Sequence, residues 1–113
     1  MDDMQEIINN LSFELKRGTQ VLSVLSQLSI PMYGYSLVEQ LKEKGIDIEP
    51  GTLYPLLRRI EKQGLLESQW ETTTNKPRKY YVLSKQGIEV YKRLCEQWEE
   101  IKLSMDNLLQ ERK

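Results

Sequence analysis

The sequence predicts a mainly α-helical fold with one small β-hairpin, on three observations. Apolar residues recur at steps of three and four through most of the chain, the period of an amphipathic helix. From about 65 to 83 that period gives way to partial alternation (Leu66, Ser68, Trp70), and then to Arg-Lys-Tyr-Tyr-Val-Leu at 78–83, rich in residues that favour strands. From Ser84 onward helical spacing returns and holds to about Gln110. At 113 residues the chain is one domain's worth, long enough for a single core.

Each element can be justified in turn. A first helix is expected from about Leu11 to Leu28, with Leu11, Leu15, Val21, Leu25 and Leu28 near one stripe and Gly18 weakening it slightly. Pro31 disfavours helix at Ile30, and Gly34 frees the backbone near a turn. A second helix is expected over about 35–44, with Leu37, Val38 and Leu41 inward and Gly45 ending it. The third spans about 50–63 and is stopped by Gly64. Two starts are compatible with its residues. With Glu49 as cap, Pro50 takes the first helical position and Pro55 the sixth; with Thr52 as cap, Pro55 falls at the third, where no intrahelical bond is expected. A two-stranded hairpin over about 65–83 follows, its tip at Thr-Thr-Asn-Lys-Pro (73–77). Either Tyr80 or Tyr81 belongs to the core, since they point to opposite faces. Ser84 then caps a last helix in which Ile88, Tyr91, Cys95, Trp98, Ile101, Met105 and Leu108 form a stripe.

Composition narrows the chemistry. With no histidine and one cysteine, Cys95, no internal disulfide, zinc site or histidine-based triad is expected, and neither a metal nor another cofactor. An enzyme would have carboxylates, tyrosines and lysines to work with, none beside an evident nucleotide loop. No apolar run approaches the roughly 20 residues of a membrane span. The acidic start lacks the layout of a signal peptide, so a cytoplasmic protein is expected.

The net charge of −1 conceals an asymmetry. Residues 1–49 hold four basic side chains against eight acidic ones, 84–113 hold six of each, and 50–83 hold six basic against three acidic, a net of +3. The middle third can therefore present a basic face. Two helices joined by a short turn, then a hairpin, describe a winged helix-turn-helix, whose second motif helix enters the DNA major groove. The expected division is a DNA-binding unit over 1–83, with its recognition helix at about 50–63 and its wing at about 65–83, and a dimerisation helix over 84–113. Arg58 and Arg59 face away from the leucines and suit phosphates, while Gly51, Thr52 and Tyr54 in the first turn suit closer contact. Tyr35 and Ser36 open the second helix, where hydroxyls and free N–H groups can hold a phosphate. Lys76, Arg78 and Lys79 cluster at and beyond the hairpin tip, where a wing meets the backbone or minor groove. The stripe of Tyr91, Leu94, Cys95, Trp98, Ile101, Met105 and Leu108 is too rich for a monomer and predicts a homodimer interface.

Four segments carry a family likeness: Met-Tyr-Gly-Tyr-Ser-Leu-Val-Glu-Gln-Leu (32–41), Glu-Pro-Gly-Thr-Leu-Tyr-Pro continuing to Ser68, Arg-Lys-Tyr-Tyr-Val-Leu-Ser-Lys-Gln-Gly (78–87) and Cys-Glu-Gln-Trp-Glu-Glu-Ile (95–101). Over nearly its whole length the chain resembles the PadR family of bacterial transcriptional regulators, in its compact branch with a single C-terminal helix. The resemblance implies a DNA-binding repressor, dimerised through its first and last helices. Compact multidrug-sensing members hold flat apolar ligands at the dimer centre between paired tryptophans, and Trp98 falls on the matching position. Glu49 departs from the serine or threonine that many members carry before Pro-Gly. The expected function is transcription regulation: a homodimeric repressor on a palindromic double-stranded operator, relieved by a small aromatic or apolar ligand. The competing reading is a winged helix that dimerises and docks on a protein partner instead of DNA.

Overall fold

The computed structural model describes residues 3–110; residues 1–2 and 111–113, the outer ends of the two expected units, lie outside the described residues. The elements are α1 (Asp3–Arg17), α2 (Gln20–Ser26), β1 (Met32–Tyr33), α3 (Gly34–Glu43), α4 (Pro50–Lys62), β2 (Leu66–Glu71), β3 (Arg78–Leu83) and α5 (Lys85–Gln110). The mainly helical architecture matches the expectation.

The single first helix expected from Leu11 is instead two helices, beginning at Asp3 and interrupted at Gly18 and Thr19. The Thr19 N–H bonds the Lys16 carbonyl three residues back at 3.1 Å, and the Thr19 hydroxyl donates to the same oxygen at 2.8 Å. The ladder resumes where the Ser23 N–H meets the Thr19 carbonyl at 2.9 Å. The break separates two fates. In α2, Val24 and Leu25 are wholly buried, whereas α1 buries none of its residues.

Glycine ends both helices of the motif by the same device. Gly45 (φ 92°) and Gly64 (φ 85°) adopt the left-handed conformation that a side chain disfavours. The N–H of Gly45 bonds the Lys42 carbonyl and that of Ile46 bonds Leu41; Gly64 and Leu65 repeat the pattern on Glu61 and Ile60. These paired bonds satisfy carbonyls that a helix end leaves free.

At its front, α4 starts at Pro50. The Thr52 and Leu53 N–H groups both reach the Glu49 carbonyl at 2.9 Å, and Glu49 is extended (φ −67°, ψ 148°) without a side-chain cap. Thr52 is therefore inside the helix and does not cap it. Pro50 stands where its missing N–H costs nothing. Pro55 lies within the helix and has no N–H to offer the Gly51 carbonyl; both residues are exposed, so water reaches that end.

The hairpin acquires a third strand. The sheet order is β1-β3-β2, all antiparallel, with Met32 opposite Tyr81 and Tyr33 opposite Tyr80. Two residues are too few for a periodic signal, and only pairing with β3 makes β1 a strand. Of the two tyrosines, Tyr81 is the core one; Tyr80 lies nearer the surface and donates its hydroxyl to Gln69 Oε1 at 3.2 Å. The core joins Val24 and Leu25 of α2, Leu37 and Leu41 of α3, the inner face of α4, and Tyr81 and Leu83 of β3.

Ser84 seats the last helix. Its Oγ accepts the Gly87 N–H at 2.9 Å and donates to the Gly64 carbonyl at 2.6 Å, joining the end of α4 to the start of α5. A side chain at Gly87 would overlap the Leu65 carbonyl oxygen, which is backbone and cannot swing aside. Gly87→Ala is expected to cost about 1–3 kcal/mol, the usual scale of overpacking, and to lower Tm by several degrees in thermal unfolding. Gly18→Ala, with nothing within 4 Å of the added carbon, is the control that leaves Tm nearly unchanged.

Candidate nucleic-acid interface

Helix α4 buries Leu53, Leu56, Leu57 and Ile60 on one face. At 100° per residue the opposite stripe consists of Gly51, Thr52, Pro55, Arg58, Arg59 and Lys62, and all six are exposed. Among the described residues none of Arg58, Arg59 and Lys62 takes part in an ion pair. Their charges are open to an external anion.

Tyr54 is held differently from its neighbours. It is half-buried beside the core, and its ring lies so close to Gly34 that an added carbon there would come 2.5 Å from Tyr54 Cε1. The absent side chain of Gly34 is what lets α3 and α4 approach. At the start of α3, Tyr35 is 64% exposed and Ser36 is exposed, on the same end of the molecule as the α4 entry that Tyr54 packs down. Tyr33 is half-buried against Tyr80, edge to face at 5.7 Å between ring centres.

The structure divides the three wing cations. Lys76 is exposed at the tip, where the Thr74 hydroxyl donates to its carbonyl at 3.0 Å. The Arg78 guanidinium stands over the Tyr33 ring at 5.3 Å, a cation–π contact on one sheet face. Lys79, on the other face, is half-buried and paired with Glu61 at 3.2 Å. Glu61 was absent from the sequence-predicted set, and no local signal marks it, because its partners lie on strands 7 and 18 residues away. The Ser68 hydroxyl and then the Lys79 ammonium hold its carboxyl below the ordinary value of 4.5, against the opposing effect of partial burial. At the hairpin turn, Glu71 accepts bonds from the Thr73 hydroxyl and N–H, which likewise lower its pKa.

The last helix begins inside the body and leaves it. Val90, Tyr91 and Leu94 pack partly against the core, and Cys95 is half-buried. Cys95, one turn further along the helix, raises the pKa of the Tyr91 phenol, with partial burial acting in the same direction. Beyond them Trp98, Ile101, Met105 and Leu108 are 40–57% exposed. Trp98 forms a wall shared by two grooves. One, of about 720 Å³, is also lined by Leu15, Leu22, Ile101 and Met105; the other, of about 450 Å³, by Ile46, Tyr91 and Cys95.

Fold and site together define a winged helix-turn-helix protein with one added long helix. The sequence profile of the PadR-like family of transcriptional regulators matches residues 21–93, and the chain belongs to that family. A crystal structure of a PadR family transcriptional regulator from Eggerthella lenta is 46% identical, with a TM-score of 0.88 over 94% of this chain and 95% of that one. A transcriptional regulator from Clostridium thermocellum is 32% identical, with a TM-score of 0.76 over 83% of this chain and 93% of that one. Over 50 residues the chain is also 38% identical to a transcriptional regulator of Mycobacterium tuberculosis, covering 44% of this chain and about half (47%) of that protein. Among the described residues no helix is long and apolar enough to cross a membrane.

The lowered pKa of Glu61 has a stability consequence of definite sign. A carboxylate favoured in the folded state contributes stability that is complete above its unfolded value and lost as pH falls through the lower folded value. From about pH 5 to about pH 3, denaturant midpoints should fall further for the native protein than for Glu61→Gln. Parallel curves would show that the carboxylate makes no net contribution.

Proposed function

We propose that this chain is a cytoplasmic homodimeric repressor that binds a palindromic DNA operator and is released from it by a small apolar ligand at the dimer interface. The single observation that carries the proposal is the exposed stripe of α4, three cations outside any ion pair among the described residues, on the helix that follows a tight Pro-Gly-Thr entry. Buried leucines hold the helix down while that stripe faces out. Arg58, Arg59, Lys76 and Arg78 would meet phosphates, with Tyr35 and Ser36 anchoring the backbone beside them. Gly51 and Thr52 would approach the groove most closely. Tyr54 would contribute mainly by fixing the distance between α3 and α4.

Two features support dimerisation. Helix α1 places Met4, Ile7, Ile8, Leu11 and Leu15 on one exposed stripe, and a lone 15-residue helix is marginal in water without a surface to bury it. Exposed Trp98, Ile101, Met105 and Leu108 on α5 offer such a surface in a second copy, continuous with Tyr91, Leu94 and Cys95 nearer the body. Two recognition helices would then stand about one turn of DNA, roughly 34 Å, apart. The groove volumes on both sides of Trp98 fall in the range of small-molecule sites. A ligand there would release DNA by favouring one arrangement of the two α5 levers over the other.

A gel-shift titration with the DNA upstream of the chain's own gene tests the proposal. Retardation that weakens steeply with salt is expected, and none at low salt would sink it in favour of a protein-docking role. Arg58→Ala should cost about tenfold or more in affinity. Gly51→Ala should separate two effects: a gain of about 0.5–1 kcal/mol in folding stability, as for glycine replaced within a helix, with weaker DNA binding. For the dimer, Ile101→Glu with Leu108→Glu should convert the sedimenting species to monomers. Sedimentation unchanged by both substitutions would rule out this interface.

A further inference from the structure

We infer that Glu61 is a positioning residue for DNA binding: it fastens the wing to the recognition helix and holds Lys79 out of the set of cations that meet phosphates. The inference rests on the DNA-binding proposal above and assigns a role to a residue that does not itself touch DNA. Glu61 leaves α4 on the flank between buried Ile60 and the exposed stripe. One carboxylate oxygen lies 3.2 Å from Lys79 Nζ on β3, and the other accepts the Ser68 hydroxyl on β2. In the register Ser68 faces Tyr81 and Trp70 faces Lys79, so all four side chains share the sheet face turned toward α4. A single carboxylate thus ties three elements together.

Lys79 is held twice. Besides Glu61, its ammonium stands 5.3 Å from the centre of the Tyr81 ring, and the side chains of the ion pair are only 28% and 31% exposed. A phosphate that took Lys79 away would face the abandoned carboxylate of Glu61, a like charge. A lysine held by a carboxylate neutralises no phosphate and so releases no counterion from the DNA, and it adds nothing to the salt dependence of binding. Among the described residues Lys76 at the tip and Arg78 on the opposite sheet face, over the Tyr33 ring, have no carboxylate partner. The sequence presents three equivalent wing cations; the structure withdraws one and uses it as a brace.

The test measures log K against log salt for the full chain and its upstream DNA, in Lys76→Ala, Lys79→Met, Glu61→Gln and the Glu61→Gln/Lys79→Met double variant, with amide hydrogen exchange on the free proteins. Lys76→Ala should flatten the slope by about 1.8, the value of two phosphate contacts, one from each protomer, while Lys79→Met leaves it unchanged. Glu61→Gln should steepen it by about 1.8 as the freed lysine of each protomer finds a phosphate, and the double variant should restore it. In free Glu61→Gln, the amides of 66–71 and 78–83 should exchange about tenfold faster, the scale of one charge-assisted hydrogen bond. A purely structural glutamate would change affinity and leave the slope alone. The inference is overturned if Lys79→Met flattens the slope as much as Lys76→Ala, or if Glu61→Gln moves neither slope nor exchange. If the native protein fails to bind at low salt, the DNA proposal and the charge half of this inference fall together, while exchange still decides whether Glu61 holds the wing.

Discussion

Burial of one face of α4 is the constraint on which the rest of the structure depends. Leu53, Leu57 and Ile60 have no exposed surface, and Leu56 has little. Burying such side chains contributes roughly 1.5–3 kcal/mol each, so the helix has one acceptable rotation about its axis. With that rotation set, Gly51, Thr52, Arg58, Arg59 and Lys62 can only face outward. The stripe proposed to meet DNA is thus the by-product of a packing requirement. The Pro-Gly entry follows the same logic: it concentrates backbone irregularity at the solvent end, where lost hydrogen bonds are replaced by water.

The core is held in shape by close backbone approaches as much as by side chains. Gly34 admits the Tyr54 ring, and Gly87 admits the Leu65 carbonyl. Ser84 then joins the end of α4 to the start of α5 through Gly64 and Gly87. Any change in the direction of the long helix must therefore pass through the segment that ends the recognition helix. This is a physical basis for the proposed coupling between a ligand beside Trp98 and the DNA face, since α5 and α4 share this hydrogen-bonded corner.

The exposed apolar surfaces tell as much as the core does. Helix α1 buries nothing and the outer half of α5 is exposed, yet both carry continuous apolar stripes. The break at Gly18 and Thr19 falls where the buried residues of α2 give way to the exposed stripe of α1.

Much of this was legible in the sequence because it is local. Hydrophobic period marks α3, α4 and α5, and glycine marks the ends of α3 and α4. Ser84 announces its own cap, and the arginines opposite a leucine stripe announce an outward basic face. Each depends on residues within one or two helical turns. Tertiary structure decided what rests on distant partners: that Met32 and Tyr33 form a strand, that Tyr81 and not Tyr80 enters the core, and that the Tyr54 ring packs against Gly34. It also decided that Glu49 and not Thr52 precedes the first turn of α4, because both starts satisfy the local rules. Lys79 shows the limit most plainly. In sequence it equals Lys76 and Arg78, and only the approach of Glu61, 18 residues earlier, gives it a carboxylate partner, since charge is read from composition but its compensation depends on distance.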